Sequence, residues 1–221
     1  MGLVNVLRSL PRRFRDSIEQ EGWRRFLLRS AASPVYRAGA LNVRPLQRFE
    51  GGKPSCDIRS ATLAEIPALV ALRPEYRARE LASRLNRGEE CLLAFAGDAL
   101  VGCRWTARGQ AHMDWLGLVL PLGERELYAY EIYVHPGQRR RGVSAALTRA
   151  YHERYLALGF ETTFSFASLG RRPFGKRDPH TVATVRTYRL GPFRVFRLRM
   201  QGPQGGRWRQ RLGALRWGKP E

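Results

Sequence analysis

The stretch "YVHPGQRRRGVSAAL", Tyr133 to Leu147, decides how this chain is read. A run ending in Tyr133 and Val134 meets a His-Pro-Gly turn, then three arginines, then Gly142 and a small apolar run. The order is strand, turn, helix. It puts Gly142 at a helix start, where backbone N–H groups lack intrahelical acceptors and the dipole favours an anion. Glycine lets the main chain come close to a ligand, and Ser144 and Ala145 keep the first turn small. A diphosphate can be held there mainly by main-chain donors from Arg139 to Ala145, with the guanidinium groups of Arg139, Arg140 and Arg141 adding charge. The same pattern also suits a merely solvated helix entrance.

Elements extend outward on both sides of this stretch. Upstream, "ELYAYEIYV" and "HMDWLGLVL" read as strands, and "CLLAFAGDALVGCRW" reads as a hairpin turning at Gly97-Asp98. Before them, "CDIRSATLAEIPALVAL" is a strand running into a helix. Thr62 and Glu65 form a capping box, and a second helix is expected over 75–86, ending at Gly88. Downstream, Val143, Leu147, Ala150, Tyr151, Tyr155 and Leu158 share a helix face that stops at Gly159. "ETTFSFA" is the next strand, "SLGRRPFGKRD" a basic loop, 179–190 a shorter helix, and "FRVFRLRM" a half-buried strand. "EGGKPS", residues 50–55, reads as a linker. Three parts follow: a basic amphipathic arm over 1–50, a main domain over 55–200, and a basic tail over 201–221 that frays.

The central stretch resembles the core motif of the GNAT acyltransferase superfamily: Arg or Gln, two residues, Gly, one residue, then Gly or Ala. Here it is Arg139-Arg140-Arg141-Gly142-Val143-Ser144, with Ser144 in place of the last small residue. Residues 56–200 follow that family's order of elements. "HTVATVRTYRLGPF", His180 to Phe193, resembles its closing segment. Ala183 and Gly191 match it, His180 replaces Asn, Tyr188 lies one place late, and Pro192 interrupts Gly-Phe. The resemblance implies an α/β (α+β layered) fold, with a central twisted mixed sheet flanked by helices. It implies acetyl-CoA or another acyl-CoA as co-substrate, with loop amides on the pyrophosphate. Ile132, Tyr133 and Val134 would pair with the pantetheine arm, and no metal is implied.

Acylation of an amine by a thioester needs a base for the amine proton and an acid for the departing thiolate. Glu131, two residues before Tyr133, is the base candidate and Tyr188 the acid candidate. The bland alternatives are a rim carboxylate paired with an arginine and a packed helix-face tyrosine. Strict alternation places Tyr128 and Tyr130 on the face opposite Glu131. His135 shapes the turn. His112 and His152 show no metal spacing.

The formal net charge of +20 is uneven. Residues 1–50 hold ten Arg against four acids, 51–134 ten basic residues against eleven acids, and 135–200 fourteen against three. The basic arm, with Phe14, Ile18, Trp23, Phe26 and Leu27 at helical spacing, suits an anionic membrane surface or another polyanion. The bias to Arg, with only three lysines, equally suits a GC-rich bacterial genome. No apolar run approaches the roughly 18 residues of a membrane span, and no secretory core is visible. The three unclustered cysteines fit a reducing compartment. A cytoplasmic protein, peripheral to the membrane through its arm, is the expectation. It is read as an acyl-CoA-dependent N-acyltransferase with an unread amine acceptor. Two alternatives stay open: a basic protein that binds membrane or nucleic acid, and a CoA-binding relative without turnover.

Overall fold

The computed structural model describes residues 35–49, 56–113, 116–168, 180–190, 193–201, 208–209 and 212–217. Strand β1 spans Val35–Pro45 and β2 spans Asp57–Ser60. A 3-10 turn, Leu63–Glu65, leads into helix α1, Ile66–Leu72, and α2 covers Ala78–Asn86. The Thr62–Glu65 capping box is present, with Ala64 N–H donating to Thr62 Oγ1 and Thr62 N–H to Glu65 Oε2 at 2.7 Å. There follow β3 (Glu90–Ala96), β4 (Ala99–Ala107), β5 (Gln110–Met113), β6 (Leu118–Pro121) and β7 (Glu126–Val134). Helix α3, Val143–Ala157, precedes β8 (Thr162–Ser168), β9 (Thr181–Leu190), β10 (Phe193–Met200) and β11 (Arg216–Trp217).

Eight strands make one mixed sheet in the order β10-β9-β1-β8-β7-β4-β3-β2, and β5, β6 and β11 make a small second sheet. Only the β7–β8 pairing is parallel among those described. The central strands bury both faces, which explains their continuous apolar runs. In β3, Leu92 and Ala94 face α3, packing with Leu147, Tyr151 and Tyr155. Cys91, Leu93 and Phe95 face α1 and α2, packing with Leu69, Leu81 and Trp105. The small sheet covers a third core built on Leu41, Val43, Phe164 and Val185.

Three sequence expectations are corrected. Residues 35–45 do not belong to an arm. They form β1, paired to β8 on one side and β9 on the other. Ala38, Gly39 and Ala40 hid this strand because small residues carry little apolar signal, yet Ala38 and Ala40 are buried. Residues 181–190 are a strand and not a helix. Five of the ten are β-branched, and a partner on each side satisfies the backbone. The described part of the tail does not fray, because Leu212 and Leu215 are buried and β11 pairs with β6. In addition, β5 and β6 leave the main sheet, and Leu158 is 56% exposed. Residues 1–34, the linker 50–55, the loop 169–179 and residues 202–207 lie outside the described residues.

Between β1 and β2 the chain straps α3. Leu46 N–H donates to Glu161 C=O at 2.8 Å, Gln47 N–H to His152 Nδ1 at 2.9 Å, and Arg149 Nη2 to Phe49 C=O at 3.1 Å. Burial, then Arg104 and Arg44, lowers the His152 pKa below its ordinary value of 6.5. Between that lowered value and 6.5 the unfolded chain holds the extra proton. Stability is therefore full above pH 6.5 and declines as pH falls through this window. Protonation also removes the acceptor for Gln47. The His152→Gln variant, titrated in urea at several pH values, is expected to lose this component of the pH dependence.

Candidate active site

The site is built where β7 departs from regular pairing. Cys103 of β4 lies opposite Tyr133 and Trp105 lies opposite Tyr130. Glu131 and Ile132 thus stand against the single residue Arg104, which is a β-bulge. Glu131 takes up the extra length with φ +46, a left-handed conformation unusual for a side-chain-bearing residue. The bulge resets the side-chain alternation. Tyr130 and Tyr133 both pack towards the α1–α2 core, and Val134 turns towards α3. Glu131 therefore reaches the same side as Tyr130, correcting the opposite-face expectation.

There its carboxylate is held by two donors. Arg84 Nη1 of α2 donates to Glu131 Oε2 at 2.5 Å, and Tyr76 O–H donates to the same oxygen at 3.1 Å. Among the described residues, Oε1 accepts no hydrogen bond. Arg84 is 4% exposed and also donates to Glu80 Oε1 at 2.6 Å. Its guanidinium lies 5.3 Å from the Trp105 ring centre and 5.4 Å from that of Tyr130. Burial works against the Arg84 charge, but Glu131, Tyr130 and Glu80 outweigh it, and its pKa is raised. Burial, then Cys103 and Glu131, pushes the Tyr76 hydroxyl up. Burial likewise pushes up Tyr130, whose hydroxyl donates to the buried Glu89. Arg87 completes that group with an ion pair to Glu89 at 2.8 Å.

The strand and loop after the bulge stay open. The ladder between β7 and β8 stops at Tyr128–Phe164. β8 continues alongside β1, and among the described residues β7 has no strand partner on that side from Ala129 to Val134. An extended ligand can pair with such an edge. Ile132 is 46% exposed, and Tyr133 and Val134 are half-buried. His135 N–H donates to Val101 C=O at 2.9 Å, and its Nδ1 accepts from Gly137 N–H at 3.3 Å. The imidazole therefore shapes the turn, as expected. Arg139 Nε donates to Val134 C=O at 3.4 Å, which ties that side chain to the strand end.

Arg140 and Gly142 both adopt left-handed backbone, φ +62 and +81. Gly142 caps α3, and the first helical bond runs from Ala146 N–H to Gly142 C=O at 2.9 Å. The amides of Val143, Ser144 and Ala145 precede it without intrahelical acceptors. Arg139 to Gly142, Ser144 and Ala145 are exposed, and Val143 is buried as the anchor of the turn. A Cβ on Gly102 would lie 2.9 Å from Tyr133 C=O and 3.1 Å from Val143, so glycine lets β4 and the loop meet. Exposed amides, a left-handed glycine and an unpaired strand edge fit the diphosphate and extended arm of coenzyme A.

The structure does not bring Tyr188 to this place. It lies on β9, paired with Tyr36 of β1 and Val195 of β10. Three strand spacings, roughly 14 Å, separate β9 from β7. Sequence reasoning missed Arg84, Tyr76 and Glu80. Only the i, i+4 spacing of Glu80 and Arg84 hinted at the pair. Among the described residues, no group of three or more His, Cys, Asp or Glu is placed to hold a metal. No described helix is long and apolar enough to cross a membrane.

No curated protein matches the chain significantly. Among solved structures, similarity extends to an aminoglycoside acetyltransferase from an uncultured soil metagenomic sample, in complex with sisomicin. Identity is 18%, coverage 51% of this chain and 78% of that one, and TM-score 0.40. A ribosomal-protein-alanine N-acetyltransferase from Brucella melitensis biovar Abortus 2308 shows 21% identity, 53% and 82% coverage, and TM-score 0.39. PaiA N-acetyltransferase from Thermoplasma acidophilum, in complex with coenzyme A, shows 14% identity, 48% and 75% coverage, and TM-score 0.36. The Acetyltransferase (GNAT) family profile matches residues 60–171, from the end of β2 through β8, and so contains the bulge, the loop and α3. The chain belongs to the acetyltransferase (GNAT) family.

Proposed function

We propose that this protein is an acetyl-CoA-dependent N-acetyltransferase acting on an amine. The observation that carries the reading is the set of open amides at the N-terminus of α3, entered through left-handed Gly142 beside the unpaired edge of β7. Ile132, Tyr133 and Val134 would hold the pantetheine arm. The loop from Arg139 to Ala145 would hold the pyrophosphate, with the arginines as auxiliary charge. Bound acetyl-CoA supplies a thioester acyl group. Glu131 supplies a carboxylate already oriented through Oε2, leaving Oε1 to take the amine proton. Tyr188 has no part in this reading.

Acetyl-CoA is expected to raise the melting temperature, because a ligand bound only by the folded state stabilises it by about 2.7 kcal/mol at a hundredfold excess over Kd. Gly142→Glu puts a carboxylate in the phosphate path and is expected to abolish the shift. No shift with acetyl-CoA or longer acyl-CoAs in the native protein would sink the reading. Thiol release with a panel of amines then tests turnover. Binding without release would leave a CoA-binding protein, not a transferase.

A further inference from the structure

The segment "RPEY", Arg73 to Tyr76, follows α1 and leads towards α2. Pro74 takes the second place of a tight turn, closed by Tyr76 N–H donating to Arg73 C=O at 2.9 Å. The turn folds the two side chains together. Arg73 Nη1 donates to the Tyr76 hydroxyl at 3.2 Å, and its guanidinium lies 4.8 Å from the Tyr76 ring centre. It also lies 5.5 Å from the ring centre of Tyr133, on the part of β7 proposed to hold the pantetheine arm. Tyr76 in turn donates to Glu131 Oε2 at 3.1 Å, so Arg73 Nη1 and that oxygen are at most about 6 Å apart.

Arg73 and Arg84 differ in what they can still do. Arg84 is buried, with Nη1 on Glu131 and Nη2 on Glu80. Arg73 has a side chain 30% exposed, close to the 31% of Glu131, so a solute can reach both. Its ion pair with Glu75 is long, 3.6 Å, and Glu75 is 76% exposed, where water screens the attraction. Among the described residues, Arg73 Nη2 makes no hydrogen bond, and Nη1 keeps a second N–H beyond the one given to Tyr76. Burial works against the Arg73 charge, but Tyr76, Glu131 and Glu75 outweigh it, and its pKa is raised. A fixed cation with N–H groups to offer thus stands one tyrosine hydroxyl away from a carboxylate whose Oε1 is open.

From this pairing we infer that the acceptor is an α-amino acid, with its amine at Glu131 Oε1 and its carboxylate on Arg73. The inference rests on the acyl-transfer reading and names the substrate class for it. In the transfer the neutral amine nitrogen bonds to the acetyl carbon as the thioester C–S bond breaks. The amine proton passes to Glu131 Oε1, and the thiolate leaves on the coenzyme. One carbon separates amine from carboxylate in an α-amino acid, so both ends reach their partners across a gap of this size through hydrogen bonds of about 2.8 Å. The outward N–H groups of a guanidinium fork suit a carboxylate, and its position over two rings holds the fork in place. A simple amine would leave the Arg73 charge unanswered.

The test compares the common amino acids with their own carboxamides, which keep the amine and lose only the acidic group. The amide's amine is the less basic of the two, so intrinsic reactivity at neutral pH favours the amide and the comparison is stringent. Thiol release from acetyl-CoA is expected to show at least one amino acid with kcat/KM about tenfold or more above its amide, the scale of a lost charge-assisted contact. Arg73→Gln should bring that ratio close to one, and Arg73→Lys, which keeps a charge, should retain part of it. Thermal shift of the protein saturated with coenzyme A reads the same preference without turnover: the amino acid binds more tightly than its amide, and Arg73→Gln removes the difference. Amides used as well as the acids would overturn the inference, as would a ratio unchanged in Arg73→Gln. If acetyl-CoA raises the melting temperature and only uncharged amines react, the inference fails while the transferase reading stands. If nothing reacts and acetyl-CoA gives no shift, the transferase reading fails. Arg73-dependent binding of the acid over the amide would then still support the site, and its absence would overturn that too.

Discussion

Deletion of residues 1–45 is expected to unfold the protein, leaving no cooperative thermal transition. The deletion removes β1 from inside the eight-stranded sheet, where it pairs over seven positions with β8 and eight with β9. β9 and β10 would then lose their link to β8, and the third core would lose Leu41 and Val43. A sheet cut this way exposes two new edges, each a row of unpaired backbone groups. The point change Leu41→Ala tests the same claim without truncation. Leu41 is 1% exposed, and a cavity at such a site costs about 3 kcal/mol, within the usual span for large-to-small core changes. Urea unfolding measures it. A 1–45 deletion that melts cooperatively at the native temperature would show β1 to be dispensable.

Arg84→Met is expected to cost about 3 kcal/mol, the lower end for breaking a buried ion pair by removing one partner. Two carboxylates, Glu80 and Glu131, lose their common cation, while Trp105, Tyr76 and Tyr130 still crowd the space around it. The lower end applies because the Glu131 side chain is 31% exposed and water can reach it. The double variant Arg84→Met with Glu131→Gln should recover part of the loss, since only Glu80 is then left without its cation. Four urea midpoints complete the cycle and isolate the coupling between the two side chains. Additive effects would mean that Arg84 and Glu131 are neighbours without energetic linkage.

Arg84 and Glu131 also show how far the site can be read from the chain. Glu131 is identifiable from its place two residues before Tyr133, near the strand end, but its surroundings are not. The bulge depends on register between β4 and β7, and register is a pairing of distant segments that no local pattern encodes. Once the bulge turns Glu131, the side chain meets α2 and Arg84, 47 positions earlier. The helix expected over 179–190, which carries Tyr188, is a strand for a related reason. A segment mixing Thr, Val, Arg and Tyr suits an amphipathic helix on one count and a strand on another. Strands on both sides decided the matter.

Short-range chemistry was enough for the rest. The capping box at Thr62, the Gly97-Asp98 hairpin, the His135 turn, left-handed Gly142 and the helix after it are all set by neighbours within a few residues. Those features carry the resemblance to the family and the loop proposed to hold the pyrophosphate. Tertiary packing alone decided that Val35–Pro45 sits inside the sheet, that the tail closes the third core, and that Arg44 and His180 meet α3. Small residues such as Ala38 and Ala40 have no strong preference of their own. Their place comes from the strands on either side, whose ladder bonds and buried area exist only when the whole sheet is assembled.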